Sequence, residues 1–243
     1  MVSAQSNWYV RFGCLAPIIA IASLIYFVNR DSVLSGFLFF GLFFGFAVLF
    51  LMLSTKAEEK TKEKQKVHIN SYVPKSGYTE SHAFISYDLL SKIAVDEKKK
   101  RIHFLEPGKL DGKQVKKAYL HMPYVHADYS YKQLLAVEVF INGTREETIV
   151  KDSPGTLQRI EELGQSVEQI ITNKIPLVRK LINRKIATVE MKLLIDDEEK
   201  PYRIIRFYNN LDKRIKKTSK DFTQVKDDVE HWVSLLTFIM NQK

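Results

Sequence analysis

Phe12-Gly-Cys-Leu-Ala-Pro-Ile-Ile-Ala-Ile-Ala-Ser-Leu-Ile-Tyr-Phe-Val28 and Ser32-Val-Leu-Ser-Gly-Phe-Leu-Phe-Phe-Gly-Leu-Phe-Phe-Gly-Phe-Ala-Val-Leu-Phe-Leu-Met-Leu53 decide how this chain is organised. Only Asn29-Arg30-Asp31 separates the two runs, and the second carries no charge. A helix crossing the hydrocarbon core needs about 20 apolar residues, with a range of about 17–25. The pair therefore predicts a helical hairpin in a bilayer. Trp8 and Tyr9 suit headgroup depth, and Arg11 can snorkel beside them. Pro17 is expected in the first helical turns, where a missing N–H costs least.

Cleavage after a signal peptide would cut the first run in half and still leave the second as a span, so both are read as retained. The exit of the second run is marked by Lys56, Lys60, Lys62, Lys64 and Lys66, whereas the connecting turn offers only Arg30. By the positive-inside rule both termini are expected in the cytoplasm. Gly41-Leu-Phe-Phe-Gly45 is a GxxxG pattern in an apolar helix and points to a helix–helix contact, either with the first span or with a second copy of the chain. The seven phenylalanines of the second run read as lipid-facing volume. Cys14 is the sole cysteine, so no intrachain disulfide or thiolate metal cluster can form; it reads as a small buried side chain, with lipidation the alternative.

Of the formal net charge of +9, the first 55 residues contribute +1, leaving a strongly basic remainder. A basic domain tethered to a membrane predicts attraction to anionic lipid headgroups, and the tether argues against nucleic acid. Residues 56–80 read as a charged linker, helical in part, with Pro74 and Gly77 in a loop that leads into a domain over 81–243.

Within that domain the period changes to that of strands. His82–Ser86 and Lys92–Asp96 are β-type runs, and Arg101–Leu105 answers the second across a polar turn. Residues 113–126 show one weak strand signal around Ala118–His121. Leu135, Val137, Val139 and Ile141 alternate up to Asn142-Gly143, the signature of a type I′ turn, and Glu147–Val150 returns. From 154 to 184 the pattern is helical, interrupted near Pro176. Ala187–Ile195 and Tyr202–Tyr208 form another hairpin around the acidic turn Asp196–Glu199. Phe222, Val225, Val229, Trp232, Val233, Leu236 and Ile239 then make one apolar helical face, with Thr218-x-x-Asp221 as a capping box.

This order of antiparallel hairpins closed by an amphipathic helix carrying Trp232 resembles the pleckstrin-homology-like superfold. The hairpin Ile93–Asp96 to Ile102–Leu105, the strand Leu134–Asn142, and the late hairpin Val189–Asp196 to Pro201–Tyr208 are similar to those of PH-like domains in bacterial membrane proteins. The resemblance covers roughly residues 82–240. It implies an α+β fold, a bent antiparallel sheet or barrel closed by the C-terminal helix, with 154–184 as a helical insertion. It also implies a binding module at the bacterial cytoplasmic membrane.

A search for chemistry yields no catalytic residues, no cofactor and no metal site. No phosphate-cradling glycine loop, nucleophile elbow or HExxH occurs. His121 and His126, with Asp128, form the tightest histidine cluster, but their spacing does not suit one face of a helix. Basic clusters are the stronger lead: Lys98, Lys99, Lys100 and Arg101; Lys174, Arg179, Lys180, Arg184 and Lys185; and Lys213, Arg214, Lys216, Lys217 and Lys220. They predict a non-catalytic module that engages an anionic lipid surface or a protein partner. Two alternatives stay open: a scaffold acting through the helical insertion, and an enzyme of unrecognised type.

Overall fold

The computed structural model describes residues 4–72, 78–108, 113, 115, 117–165 and 185–242. The chain divides into two compact units, residues 1–71 with 117–122, and residues 72–116 with 123–243.

The first unit is built on two long apolar helices, α1 (Ala4–Val28) and α2 (Val33–Asn70), each long and apolar enough to cross a membrane. They lie side by side. Ser6 Oγ sits 3.0 Å from Ser54 Oγ and donates to Glu58 at 2.9 Å. Small residues make the approach close: a Cβ on Gly13 would meet Leu51 and Phe50 at 3.5 Å, and one on Gly36 would meet Leu24 at 3.2 Å. Gly41 and Gly45 have nothing within 4 Å of a Cβ position and do not serve the α1–α2 contact. Cys14, expected to be buried, is exposed on the outside of the pair.

Two boundaries differ from expectation. α1 begins at Ala4, so Pro17 stands mid-helix rather than in the first turns; a membrane-type helix tolerates the lost N–H where neighbours re-satisfy the freed carbonyl. α2 continues through the Lys/Glu stretch to Asn70, so most of the expected linker is helix. Residues 117–122 join this unit as a turn, not the strand expected around Ala118–His121. His121 adopts φ +58°, its N–H donates to Gln65 Oε1 at 2.9 Å, and the His68 ring nitrogen meets the Met122 carbonyl at 3.1 Å.

The second unit contains two four-stranded antiparallel sheets. The first is a meander of β1 (His82–Ile85), β2 (Lys92–Asp96), β3 (Arg101–Pro107) and β4 (Tyr124–Ser130). The chain then turns through a single 3-10 turn at Tyr131–Gln133, held by a reciprocal Ser130/Gln133 capping box. It enters the second sheet, ordered β6-β5-β8-β9 from β5 (Leu134–Ile141), β6 (Thr144–Val150), β8 (Thr188–Ile195) and β9 (Tyr202–Asn209). A two-residue ladder joins β7 (Lys185–Ile186) to β10 (Ile215–Lys216). Among the described residues the strands form separate sheets and no closed barrel.

Alternation explains the core. Ile93 and Val95, Ile102 and Phe104, and Ala127 and Tyr129 point inward from the first sheet. Val137, Val139, Met191, Leu193, Ile205 and Phe207 answer from the second. The C-terminal helix α4 (Lys220–Asn241) inserts Val229, Trp232, Leu236 and Ile239 into this core. Its N-cap is Ser219, whose Oγ accepts from the Phe222 N–H at 3.3 Å, one residue later than the expected Thr218 box. Asn142 (φ +51°) and Gly143 (φ +74°) supply the two left-handed positions of the β5–β6 turn. Of the expected helical insertion, α3 (Thr156–Glu162) is described, and Ile160 packs on Leu135, Ala136 and Leu194. The expected helix around Leu177–Asn183 lies outside the described residues.

Candidate functional site

Three regions of the second unit gather charge, and each rests on a different element. The first is the outer face of the β1–β4 sheet. The same alternation that sends Ile102 and Phe104 inward turns Lys92, Asp96, Arg101, His103, His126 and Asp128 outward. Tyr78-Thr79-Glu80 crosses over Lys92, Asp96 and His103, while Arg101 and Asp128 stay partly exposed beside it. Lys92 is 1% exposed and its ammonium lies 2.5 Å from Glu80 Oε1. Asp96, wholly buried, accepts from the Thr79 and Lys99 N–H groups, each at 2.9 Å. The Tyr78 ring stacks on His103 at 4.3 Å between centroids. His103 Nδ1 stands 3.1 Å from His126 Nε2 and 3.3 Å from Asp128 Oδ1. Arg101 grips Asp128 with two bonds of 2.8 and 2.5 Å.

Electrostatics follow from that sealing. Burial pushes the His103 imidazole below its ordinary value of 6.5, against the pull of Asp128, and burial does the same to His126. Burial pushes the Asp128 carboxyl up, but the Arg101 hydrogen bonds and the neighbouring imidazoles outweigh it and hold the group below 3.8. Asp96 is also held down, because the two backbone donors outweigh its burial. His103 Nε2 is buried without a hydrogen-bond partner among the described residues. With Asp128 able only to accept, the proton of the neutral ring belongs on Nδ1. No group of three His, Cys, Asp or Glu side chains among the described residues is arranged to hold a metal ion. The predicted His121/His126 cluster does not form a unit: His121 sits edge-on to His68, and His126 stacks with His103.

The second region is the β2–β3 turn, the first of the predicted basic clusters. Lys98, Lys99 and Lys100 are exposed there, with Lys100 at φ +52° closing the turn. Lys99, Lys100 and Arg101 line a cleft of about 200 Å³ with Tyr131, Lys132 and Gln242. Lys132 escaped the sequence reading because it stands alone in its stretch. Its carbonyl accepts from the Lys151 ammonium at 2.8 Å, and burial, with the Lys132 charge, pushes that ammonium below its ordinary 10.5. Part of this cluster is committed to the fold: Arg101 is tied to Asp128, and the Lys99 N–H caps Asp96.

The third region brings two predicted clusters together. In the β7–β10 ladder Lys216 is the direct register partner of Lys185. Ile186 and Ile215 point into the core, so both lysines face outward and are exposed. Lys213, Arg214, Lys217 and Lys220 are also exposed. Asn142 positions the ladder by accepting from the Ala187 and Thr188 N–H groups at 2.7 and 3.1 Å and donating to the Lys185 carbonyl at 3.1 Å. Among the described residues no carboxylate lies within ion-pair distance of any of these six cations. Like charges directly opposite on a ladder repel. Lys174, Arg179, Lys180 and Arg184 lie outside the described residues.

In the acidic turn Asp196–Glu199, Asp196, Asp197 and Glu198 are paired with arginines, while Glu199 is exposed. Arg159 of α3 reaches Asp196 at 2.7 Å and Glu198 at 3.0 Å. Arg203, buried, joins Glu106 at 2.6 Å and Asp197 at 3.0 Å. Tyr129 donates to Asp197 at 2.5 Å, and burial together with that carboxylate pushes the phenol up to about 12. Every carboxylate of this network already has a cation, which makes it a structural clamp between β3, β4, β9 and α3. No family model, no curated protein and no solved structure matches this chain.

Proposed function

We propose that this chain is a membrane-anchored, non-catalytic binding module whose sheet domain engages an anionic lipid surface. The observation that carries the reading is the β7–β10 surface, where six exposed cations stand without carboxylate partners among the described residues. Each Lys or Arg brought to an anionic bilayer is worth about 1 kcal/mol, so such a surface gains most from lipid phosphates. The two apolar helices at the N-terminus supply the tether. In this reading they lie in the bacterial cytoplasmic membrane with both termini in the cytoplasm, which the lysines after the second run support through the positive-inside rule. The PH-like likeness belongs to the same reading: antiparallel sheets and a closing helix around Trp232 are its ingredients, although the sheets do not close into a barrel. Gly41 and Gly45, free on the outside of the helix pair, offer a contact for a second copy.

The full chain, reconstituted in phosphatidylcholine vesicles with and without phosphatidylglycerol, tests the reading by lysine acylation and mass spectrometry. Lysines 185, 213, 216, 217 and 220 are expected to be protected only with the anionic lipid, and molar salt is expected to remove the protection. Equal acylation in both lipids counts against lipid engagement and favours a protein partner for this surface.

A further inference from the structure

The strand that ends at the cationic surface also carries an apolar apex. β9 runs into Asn210-Leu211-Asp212-Lys213-Arg214 before β10 begins. This loop is fixed: Asn210 Oδ1 accepts from the Asp212 and Lys213 N–H groups at 3.1 and 2.8 Å, and the Asn210 N–H donates to the Ala187 carbonyl at 2.9 Å. The Tyr208 hydroxyl donates to the Lys213 carbonyl and closes the same turn. Held this way, Leu211 is 68% exposed in a domain whose other leucines mostly line cores.

A second loop stands beside it. Ser86 and Ser91 share a 2.7 Å hydrogen bond and clamp the β1–β2 loop to β9, through the Arg206 N–H at 2.9 Å and the Ile204 carbonyl at 3.1 Å. This places Tyr87 against Tyr208, with ring centroids 4.9 Å apart, and puts the Asn210 amide 3.3 Å from its hydroxyl. Tyr87 is 46% exposed. Asp88 at the foot of that loop is already taken by Arg206 at 3.0 Å, so the one carboxylate within the apex loop itself is Asp212.

Building on the lipid-binding reading above, we infer that Leu211 and Tyr87 enter the headgroup–acyl boundary of an anionic bilayer while Lys185, Lys213, Arg214, Lys216 and Lys217 sit on the phosphates around them. The arrangement is that of an interfacial anchor. An aliphatic tip goes deepest, an amphipathic tyrosine lies at headgroup depth, and the cations of the same loop and the adjoining ladder meet the phosphates. A nucleic acid would neutralise the cations but leave Leu211 in water, since its bases call for stacking partners. A lipid surface satisfies both halves at once.

The test uses the full chain with Cys14→Ala, carrying a single cysteine at Leu211 or, as reference, at the exposed Leu157 of α3, each labelled with an environment-sensitive nitrobenzoxadiazole. In vesicles containing phosphatidylglycerol the Leu211 label is expected to shift to the blue and to be quenched by lipids spin-labelled near the headgroup. The Leu157 label stays water-like. Lys213→Glu with Lys216→Glu and Lys217→Glu, or molar salt, abolishes the shift. Leu211 and Leu157 are exposed, so near-ultraviolet circular dichroism unchanged from the parent confirms the fold of each variant. A water-like Leu211 label in anionic vesicles whose lysines are nonetheless protected from acylation overturns the apex and leaves the electrostatic reading standing. Absence of both signals overturns both. A shift of equal size in phosphatidylcholine alone overturns the role given to the cations.

Discussion

The outer face of the first sheet and the β7–β10 surface are both rich in cations, and they use them in opposite ways. On the first sheet Lys92 is paired with Glu80 and kept from water, and Arg101 is paired with Asp128 at a partly exposed position. On the ladder Lys185 faces Lys216, and among the described residues the flanking cations have no carboxylate within ion-pair distance. What separates them is desolvation: a buried ammonium must be paired at once, whereas an exposed one can wait for an external anion. The first arrangement holds the fold together, and the second is free to bind.

The sharpest break of that contrast is Glu80→Ala. It leaves the Lys92 ammonium buried without its partner, and the domain is expected to lose about 3 kcal/mol, less than a fully buried pair because Glu80 is partly exposed. Adding Lys92→Met should recover most of the loss, since an apolar stem can occupy the same space. Urea denaturation of the full chain in detergent, followed by the fluorescence of the core residue Trp232, measures both. If Glu80→Ala unfolds at the parent midpoint, the Tyr78–Glu80 segment is not a structural lid.

Asp128→Asn comes next. It leaves Arg101 one acceptor oxygen in place of two and removes the negative charge beside His103, at an expected cost of about 1–2 kcal/mol. On the ladder side, Lys217→Ala touches no pair and should leave the midpoint within about 0.5 kcal/mol of the parent. A larger change for Lys217→Ala than for Asp128→Asn would invert the comparison.

Acid should also separate the regions. His103 and His126 are held below 6.5 in the folded state, so between that lowered value and 6.5 the unfolded chain binds more protons. Their contribution is therefore full above about pH 6.5 and is lost as pH falls toward the folded values. Asp96 and Asp128 are held below 3.8, so their contribution is full above that value and disappears only as pH falls further. Denaturation midpoints against pH should thus fall in two stages. His103→Gln with His126→Gln is expected to erase the upper stage alone. Persistence of that stage in the double variant would assign it elsewhere.

Much of this architecture is legible in local pattern. The two apolar runs, the β2–β3, β5–β6 and β8–β9 hairpins and the apolar face of α4 all come from periodicity and turn chemistry within a few residues. β4 was hidden because its outward residues, His126 and Asp128, look like a polar loop until Arg101 and Tyr78 are placed against them. The covering segment Tyr78–Glu80 was hidden for the same reason: its partners lie on three different strands. The length of α2 was ambiguous because a Lys/Glu stretch reads equally as a solvated helix or a linker. The candidate surface was legible residue by residue but not as a surface. Nothing in the sequence announces that Lys185 will stand opposite Lys216, since a two-residue ladder has no period. Leu211 carried one faint signal, an isolated leucine between polar and basic residues, which a search for hydrophobic faces passes over.

Lys185→Glu gives a small stability effect and the most informative sign. A glutamate opposite Lys216 converts a repelling cross-strand pair into an attracting one, expected to add about 0.2–1 kcal/mol to the domain. The same change removes one cation from the proposed lipid-binding set and adds an anion to it, so lysine protection in phosphatidylglycerol vesicles should fall. Stability up and engagement down is the pattern of a surface that tolerates its own repulsion in order to stay open to an external partner. A structural role for Lys185 would move both quantities in the same direction. Lys185→Ala lies between: it relieves the repulsion without creating a pair, so it should be near neutral in stability and intermediate in protection. Measuring the three side chains in series separates an open binding surface from a merely crowded ladder, because only the former links the two readouts with opposite slopes.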